Sequence, residues 1–214
     1  MTASLDNLAA GNVQWATQIK TVAPGFFPQQ ASTSQTPKVL WIGCADSRVP
    51  ESVITGSIPG AIFVHRNIAN QFLEHDLNAL AVLAHAVSLK VEHVVVVGHT
   101  HCGGVAESER IARPNAPRER SSFLCSESCL PDTADDSPLR RWLEHLVDLV
   151  KSLHLPDDMS SEEAIPLITK ANVLAQVETI RNTDIVQNAE FPPLIHGWIY
   201  DLDEGVLVKD IVES

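Results

Sequence analysis

The stretch "HVVVVGHTHCGGV", residues 93–105, decides the fold. His93 to Gly98 is a near-continuous β-branched run, which suits a parallel strand buried on both faces. Upstream, Val39-Leu40-Trp41-Ile42 stops at Gly43 and reads as a second buried strand over 38–43. Between them, Ala61 to His65 read as a short strand. Residues 71–90 read as a helix, with Leu77, Leu80, Ala81, Leu83, Ala84 and Val87 near helical spacing. The order strand, strand, helix, strand predicts an α/β fold with a mostly parallel central sheet flanked by helices.

Towards the N-terminus, Leu5, Leu8, Val13, Trp15, Ala16 and Ile19 predict an amphipathic helix over 5–20. Pro24-Gly25 ends it, Phe26-Phe27 reads as a local anchor, and 29–37 as a polar loop. Downstream, Ser137-Pro138 signals a helix over 139–153, and Ser160-Ser161-Glu162-Glu163 opens another over 160–187. Strands are expected at 194–201 and 205–211. The expected architecture is one domain over 1–214, with an N-terminal helical arm and loop (1–37), about four parallel strands and a C-terminal edge strand. Residues 106–138, with Pro114, Pro117 and Pro131, lack periodicity and read as an irregular excursion within the domain.

Composition narrows the function. A chain of 214 residues with 44% hydrophobic and 20% charged residues is ordinary for a globular protein. The net charge of −12, with 15 Lys and Arg in all, argues against nucleic acid as a partner. No apolar run is long enough for a membrane-spanning helix, so no membrane partner is expected. Met1 to Asp6 lacks the basic and apolar regions of a secretory leader, so a cytoplasmic location is expected. In that setting the four cysteines, Cys44, Cys102, Cys125 and Cys129, point to metal binding or catalysis more than to disulfides.

Both buried strands end in reactive side chains. "CADSR" (44–48) follows the first and "HTHC" (99–102) the second. Open α/β sheets build their binding crevice at the strands' carboxyl ends. If the two strands are neighbours, Cys44, His99 and Cys102 converge as a Cys₂His zinc set with one position open, as catalytic zinc requires. His101 is an alternative ligand, and Asp46 a fourth one if the site is closed. Asp46 is close enough in sequence to a ligand to reach a metal-bound water, and Arg48 can grip its carboxylate in a bidentate pair. The bland alternative is a surface turn with a weak ion pair.

C-x-D-S-R after a strand, followed by H-x-x-C-G-G, resembles the β-class carbonic anhydrases. So do "FVHRNIAN" (63–70), "NVLAQVETI" (172–180) and "HGWIYDLDEGVLVKD" (196–210). The resemblance implies one zinc ion per chain on Cys44, His99 and Cys102, with zinc-bound hydroxide oriented by an Asp46–Arg48 dyad. The implied reaction is reversible hydration of carbon dioxide to bicarbonate and a proton. It further implies Gln35 as a donor to substrate oxygen, Phe63 as an apolar pocket wall, and Gly103 and Gly104 as close-approach backbone near the anion. Trp41, Arg66 and Tyr200 would form a regulatory bicarbonate site. The implied assembly is a homodimer, or a tetramer made of two dimers, with the N-terminal helix wrapped on a partner. The excursion at 106–138 is longer than the family's usual connection, so no role carries over to it. Three alternatives stay open: a carbonyl sulfide or carbon disulfide hydrolase, a non-catalytic zinc-binding module, and a thiol redox protein using Cys125 and Cys129. The last has C-x-x-x-C rather than the redox spacing C-x-x-C.

Overall fold

The β-branched run forms the middle strand of a five-stranded sheet. The computed structural model describes residues 4–118, 136–209 and 211. The chain divides into two units, residues 1–36 and 37–214. The first holds α1 (Leu5–Val22), which Ser4 caps by accepting a hydrogen bond from the Asn7 amide, and α2 (Phe26–Ser32). Part of the expected polar loop is therefore helical. Phe27 packs edge-on to Trp15, with centroids 5.5 Å apart, so local packing overrides a run of weak helix formers.

The second unit runs β1 (Val39–Cys44), α3 (Glu51–Ile54), β2 (Ile62–Asn67), α4 (Leu77–Ser88), β3 (His93–His99), α5 (Gly103–Ala112), α6 (Pro138–Ser152), α7 (Ser161–Arg181), α8 (Asp184–Gln187), β4 (Leu194–Asp201) and β5 (Val206–Val208). The sheet order is β2-β1-β3-β4-β5, with four parallel strands and β5 antiparallel at the edge. The α/β class and the mostly parallel sheet stand as expected. Three boundaries differ. The excursion begins later, because residues up to Ala112 continue α5. The expected helix over 160–187 breaks at Asn182, where Thr183 caps the separate α8. The helix expected over 71–90 starts at Leu77, where the Asp76 carboxylate accepts the Asn78 amide. Cys125 and Cys129 lie outside the described residues.

Alternation sorts the strands' side chains onto two faces. Leu40, Ile42, Val94 and Val96 bury against Leu83 and Ala86 of α4 and Val173, Val177 and Ile180 of α7. Trp41, Val95 and Val97 cluster on the other face with Trp198 and Ile54. Truncating a fully buried residue such as Leu83 to Ala costs about 2–5 kcal/mol.

His65, on β2, is a buried polar residue. Its Nε2 accepts a hydrogen bond from Asn67 Nδ2 at 3.1 Å, because the Asn67 carbonyl oxygen is already taken by the Gln71 amide. Burial lowers its pKa below the usual 6.5. A histidine with a lowered folded-state pKa adds stability that is fully present above about 6.5 and is lost as pH falls through the folded value. Urea unfolding at pH 7.5 and 5.5 should therefore show a smaller acid-induced loss for His65→Gln than for wild type. Equal losses would show that His65 titrates as it does in the unfolded chain.

Candidate metal centre

The chain leaves β1 to one side for β2, then crosses to pair β3 on the other side of β1. The carboxyl ends of β1 and β3 thus flank a point where the connections diverge, which opens a crevice. Gly43 pairs with Val97 in register, so the last residues of the two strands, Cys44 and His99, emerge together. Cys102 follows as the N-cap of α5.

The Cys44 and Cys102 sulfurs are 3.9 Å apart. These two Sγ atoms and a ring nitrogen of His99 all lie within 4.8 Å of one another, and all three residues are buried. His99 Nδ1 lies 2.8 Å from the Thr100 carbonyl oxygen, which can only accept, so Nδ1 carries the proton. That leaves Nε2 with a lone pair, buried and without a hydrogen-bond partner. A metal fits this atom: carbonyl-anchored histidines with a bare second nitrogen are the usual metal-binding form. Thr100 is itself fixed by the end of β4, through its amide to Tyr200 O at 3.0 Å and its hydroxyl to the Leu202 amide at 2.8 Å.

The two thiols share a proton. The hydrogen bond with Cys102 pulls Cys44 down to about 4, against the opposing effect of burial. The same bond and complete burial push Cys102 up, while the Gly104 and Val105 amides act the other way. Cys102 thus stands at the head of α5, beside the first helical turn. Zinc binding would displace the shared proton, since thiolates are the ligands.

Asp46 sits in the turn after Cys44, its Oδ2 4.0 Å from His99 Nε2. Arg48 grips it twice, Nε to Oδ1 at 3.0 Å and Nη2 to Oδ2 at 2.7 Å, and the Arg48 amide adds a third bond at 2.9 Å. These bonds hold the Asp46 carboxyl down at about 2. Arg48 is half exposed, at 53%, so the pair adds only about 0–1 kcal/mol to stability. Its effect is to keep the carboxylate ionised and aimed. Arg48 Nη2 also donates to the His101 carbonyl oxygen at 3.1 Å, tying one ligand-bearing turn to the other. The His101 ring faces Asp203, with Nε2 2.8 Å from Oδ2, so the ligand among the two histidines is His99.

The family model for carbonic anhydrase matches residues 39–207. The chain belongs to the β-class carbonic anhydrases. It is 34% identical to a carbonic anhydrase of Emericella nidulans, over 96% of this chain and 82% of that one. It is 31% identical to one of Saccharomyces cerevisiae, over 95% and 87%. Among solved structures it is similar to the tetrameric β-carbonic anhydrases of Sordaria macrospora (TM-score 0.77, 32% identity, 96% of this chain and 95% of that chain). It is also similar to a β-carbonic anhydrase of Aspergillus fumigatus (TM-score 0.78, 33% identity, 98% and 92%). The enzyme class is carbonate dehydratase, and zinc is its metal.

The remaining expected site residues fall differently. Trp41 and Tyr200 border a narrow gap that Cys44 and His99 also line. Arg66 is engaged elsewhere: Nε donates to Cys44 O at 2.7 Å, Nη2 donates to Asp46 O, and Nη1 lies 3.7 Å from Glu51. Its guanidinium holds the backbone of the turn, so a bicarbonate there would have to displace those bonds. Phe63 pairs with Leu40 and packs on His85, and it precedes Asn67, the partner of Cys44, by roughly 13 Å of strand. One chain does not bring Phe63 to the metal ligands. Gln35 belongs to the first unit and is exposed. Thr100 and Asn67, which support the ligand turns, escaped sequence reading because they act largely through backbone carbonyls that every residue carries.

Cys102→Ser should lose zinc, because it replaces one of two buried thiolate ligands with a hydroxyl that holds zinc poorly. Metal analysis of the purified variant beside wild type checks this; equal zinc content would remove Cys102 from the centre.

Proposed function

We propose that this chain catalyses the reversible hydration of carbon dioxide to bicarbonate and a proton, with Asp46 and Arg48 as the catalytic dyad. The observation that carries the reading is a buried Cys44–His99–Cys102 cluster facing a carboxylate locked by Arg48. Zinc held by these residues would supply Lewis acidity, bringing the pKa of a coordinated water towards neutrality. The rest falls to the chain. Asp46, ionised at any physiological pH, accepts a hydrogen bond from the attacking water and so aims a lone pair at carbon. Arg48 keeps Asp46 in place without giving it a proton, since guanidinium and carboxylate both stay charged. The low-dielectric walls around Cys44 and His99 admit a small apolar substrate more readily than a charged one. Gln35 and Phe63 keep the substrate-contact roles that the family resemblance implies. Gly103 and Gly104 are assigned to the anion's approach to the first turn of α5. Trp41 and Tyr200 are kept as walls beside the ligands, and Arg66 as the holder of the turn. Carbonyl sulfide and carbon disulfide are competing substrates for the same geometry.

Asp46→Asn should retain zinc and lose hydration rate by about 10²-fold or more, because an amide offers the water a weaker acceptor and Arg48 loses its partner. Stopped-flow carbon dioxide hydration with metal analysis on the same sample reads both quantities. Zinc-replete wild type with no hydration would leave a zinc-binding module, and faster turnover of carbonyl sulfide would reassign the substrate.

Assembly belongs to the same reading. The chain is similar to tetrameric proteins, and α1 has no buried residue while carrying Leu5, Leu8, Val13 and Val22 exposed. We assign α1 to the surface of a second copy in a homodimer or a pair of dimers. Light scattering at micromolar concentration should give a dimeric or tetrameric mass; a monomer would contradict the assignment. No described helix is long and apolar enough to cross a membrane.

A further inference from the structure

The loop after β2 touches both ligand-bearing turns, and its backbone is unusual. Ala69 and Asn70 both have positive φ, 63° and 47°. Asparagine tolerates the left-handed region; alanine does so only where its surroundings impose it. The loop is buried from Ala69 to Phe72. On one side, Asn67 O accepts the amide of Ala45, the residue between Cys44 and Asp46, at 2.8 Å. On the other, the loop presses on the first turn of α5: a Cβ on Gly104 would lie 2.9 Å from both Ala69 Cβ and Ile68 Cγ2. Cys102 is the N-cap of that same helix, two residues before Gly104. Displacing the loop therefore displaces Cys102 and loosens the turn that carries Cys44.

What imposes the conformation is a pair of amide side chains one turn apart on α7. Asn172 Nδ2 donates to Ala69 O at 2.9 Å. Asn172 Oδ1 is aligned by Gln176 Nε2 at 2.9 Å. Gln176 Oε1 accepts the Phe72 amide at 2.8 Å. Asn172 is 1% exposed and Gln176 8%. The two side chains clamp the loop at both ends, and neither touches the Cys44–His99–Cys102 cluster.

We propose that Asn172, braced by Gln176, is a positioning residue for the metal centre: it holds Ala69 in the left-handed conformation against Gly104 and so fixes the Cys102 end of the site. The inference rests on the metal centre proposed above. It separates from a general packing role because glycine adopts positive φ without strain. If Asn172 acts through the Ala69 backbone, Ala69→Gly should compensate for its loss.

The experiment uses zinc-loaded full-length protein in four forms: wild type, Asn172→Ala, Ala69→Gly and the double variant. Two quantities are read: the rate of zinc transfer to a chromogenic chelator, and the thiolate-to-metal charge-transfer bands after cobalt replaces zinc. Asn172→Ala should lose zinc about tenfold faster, the scale typical of supporting partners of metal ligands, and show altered cobalt bands. The double variant should return towards wild type in both, and Ala69→Gly alone should stay close to it. Wild-type zinc retention and spectrum in Asn172→Ala would overturn the proposal, as would a loss that Ala69→Gly fails to restore. Should Asn172→Ala not fold, Gln176→Met removes only the brace and should give the same changes at smaller size; no change there would equally overturn it. A wild-type protein without stoichiometric zinc would sink the metal centre itself, and this inference with it.

Discussion

The parallel pairing of β1 with β3 is the constraint from which the rest follows. Backbone hydrogen bonding fixes Gly43 opposite Val97, and the sheet's crossover order sends the two outgoing connections apart. Cys44 and His99 are therefore neighbours at an opening before any side chain chooses a rotamer. A register slip of one residue would turn each ligand to the other face of the sheet. Five consecutive buried residues on β1 and six on β3 make such a slip costly, since both faces are apolar. The metal site thus inherits its precision from the hydrophobic core.

Most of this was legible in the sequence, for an identifiable reason. A four-valine run has few alternatives to a buried strand, and thiols, imidazoles and carboxylates at strand ends are chemically specific. Cys44, His99 and Cys102, which the fold brings together, stood out by residue type at strand ends, and Asp46 and Arg48 by their place beside Cys44. What could not be read is carried by backbone atoms. The Thr100 carbonyl that sets the His99 tautomer, the carbonyls that occupy Arg66 and the left-handed Ala69 leave no trace in residue identity. Arg66 shows what residue type leaves out: as a type it suits an anion, and in the fold its guanidinium also holds the carbonyls of Cys44 and Asp46. Helix α2 shows an error of reading, since a Gln- and Ser-rich stretch became helical once Phe27 found Trp15.

Burial divides the labour among the site's polar groups. The metal ligands are sealed, so their electrostatics are strong and their protons are contested, as the unequal thiols show. The Asp46–Arg48 pair stands at the rim, where its contribution to stability is small. A pair that stabilises little yet is bound by three hydrogen bonds is better explained by orientation than by folding. Arg48 also bridges to the His101 carbonyl, so the arginine that aims Asp46 also references it to the second ligand turn.

The ligands come from two turns far apart in sequence, and their supports come from three further elements: β4 through Thr100, the loop after β2, and α7 through Asn172 and Gln176. None of these three supports is a charge, and the charged support that Arg66 gives the Cys44 turn has Glu51 beside it. Each of the three is a neutral donor or acceptor satisfied inside the protein, so it costs little to bury, whereas an unpaired partner would cost about 1–3 kcal/mol. Neutral supports suit a centre whose own charge is already delicate. Two thiolates nearly cancel a divalent ion, and a nearby fixed charge would shift the water's acidity directly. The chain places the Asp46 carboxylate under the control of Arg48, sets the Arg66 guanidinium on the turn's carbonyls beside Glu51, and builds the supports from β4, the loop and α7 out of amides and carbonyls. The geometry can then be rigid without biasing the electrostatics on which the hydration chemistry depends.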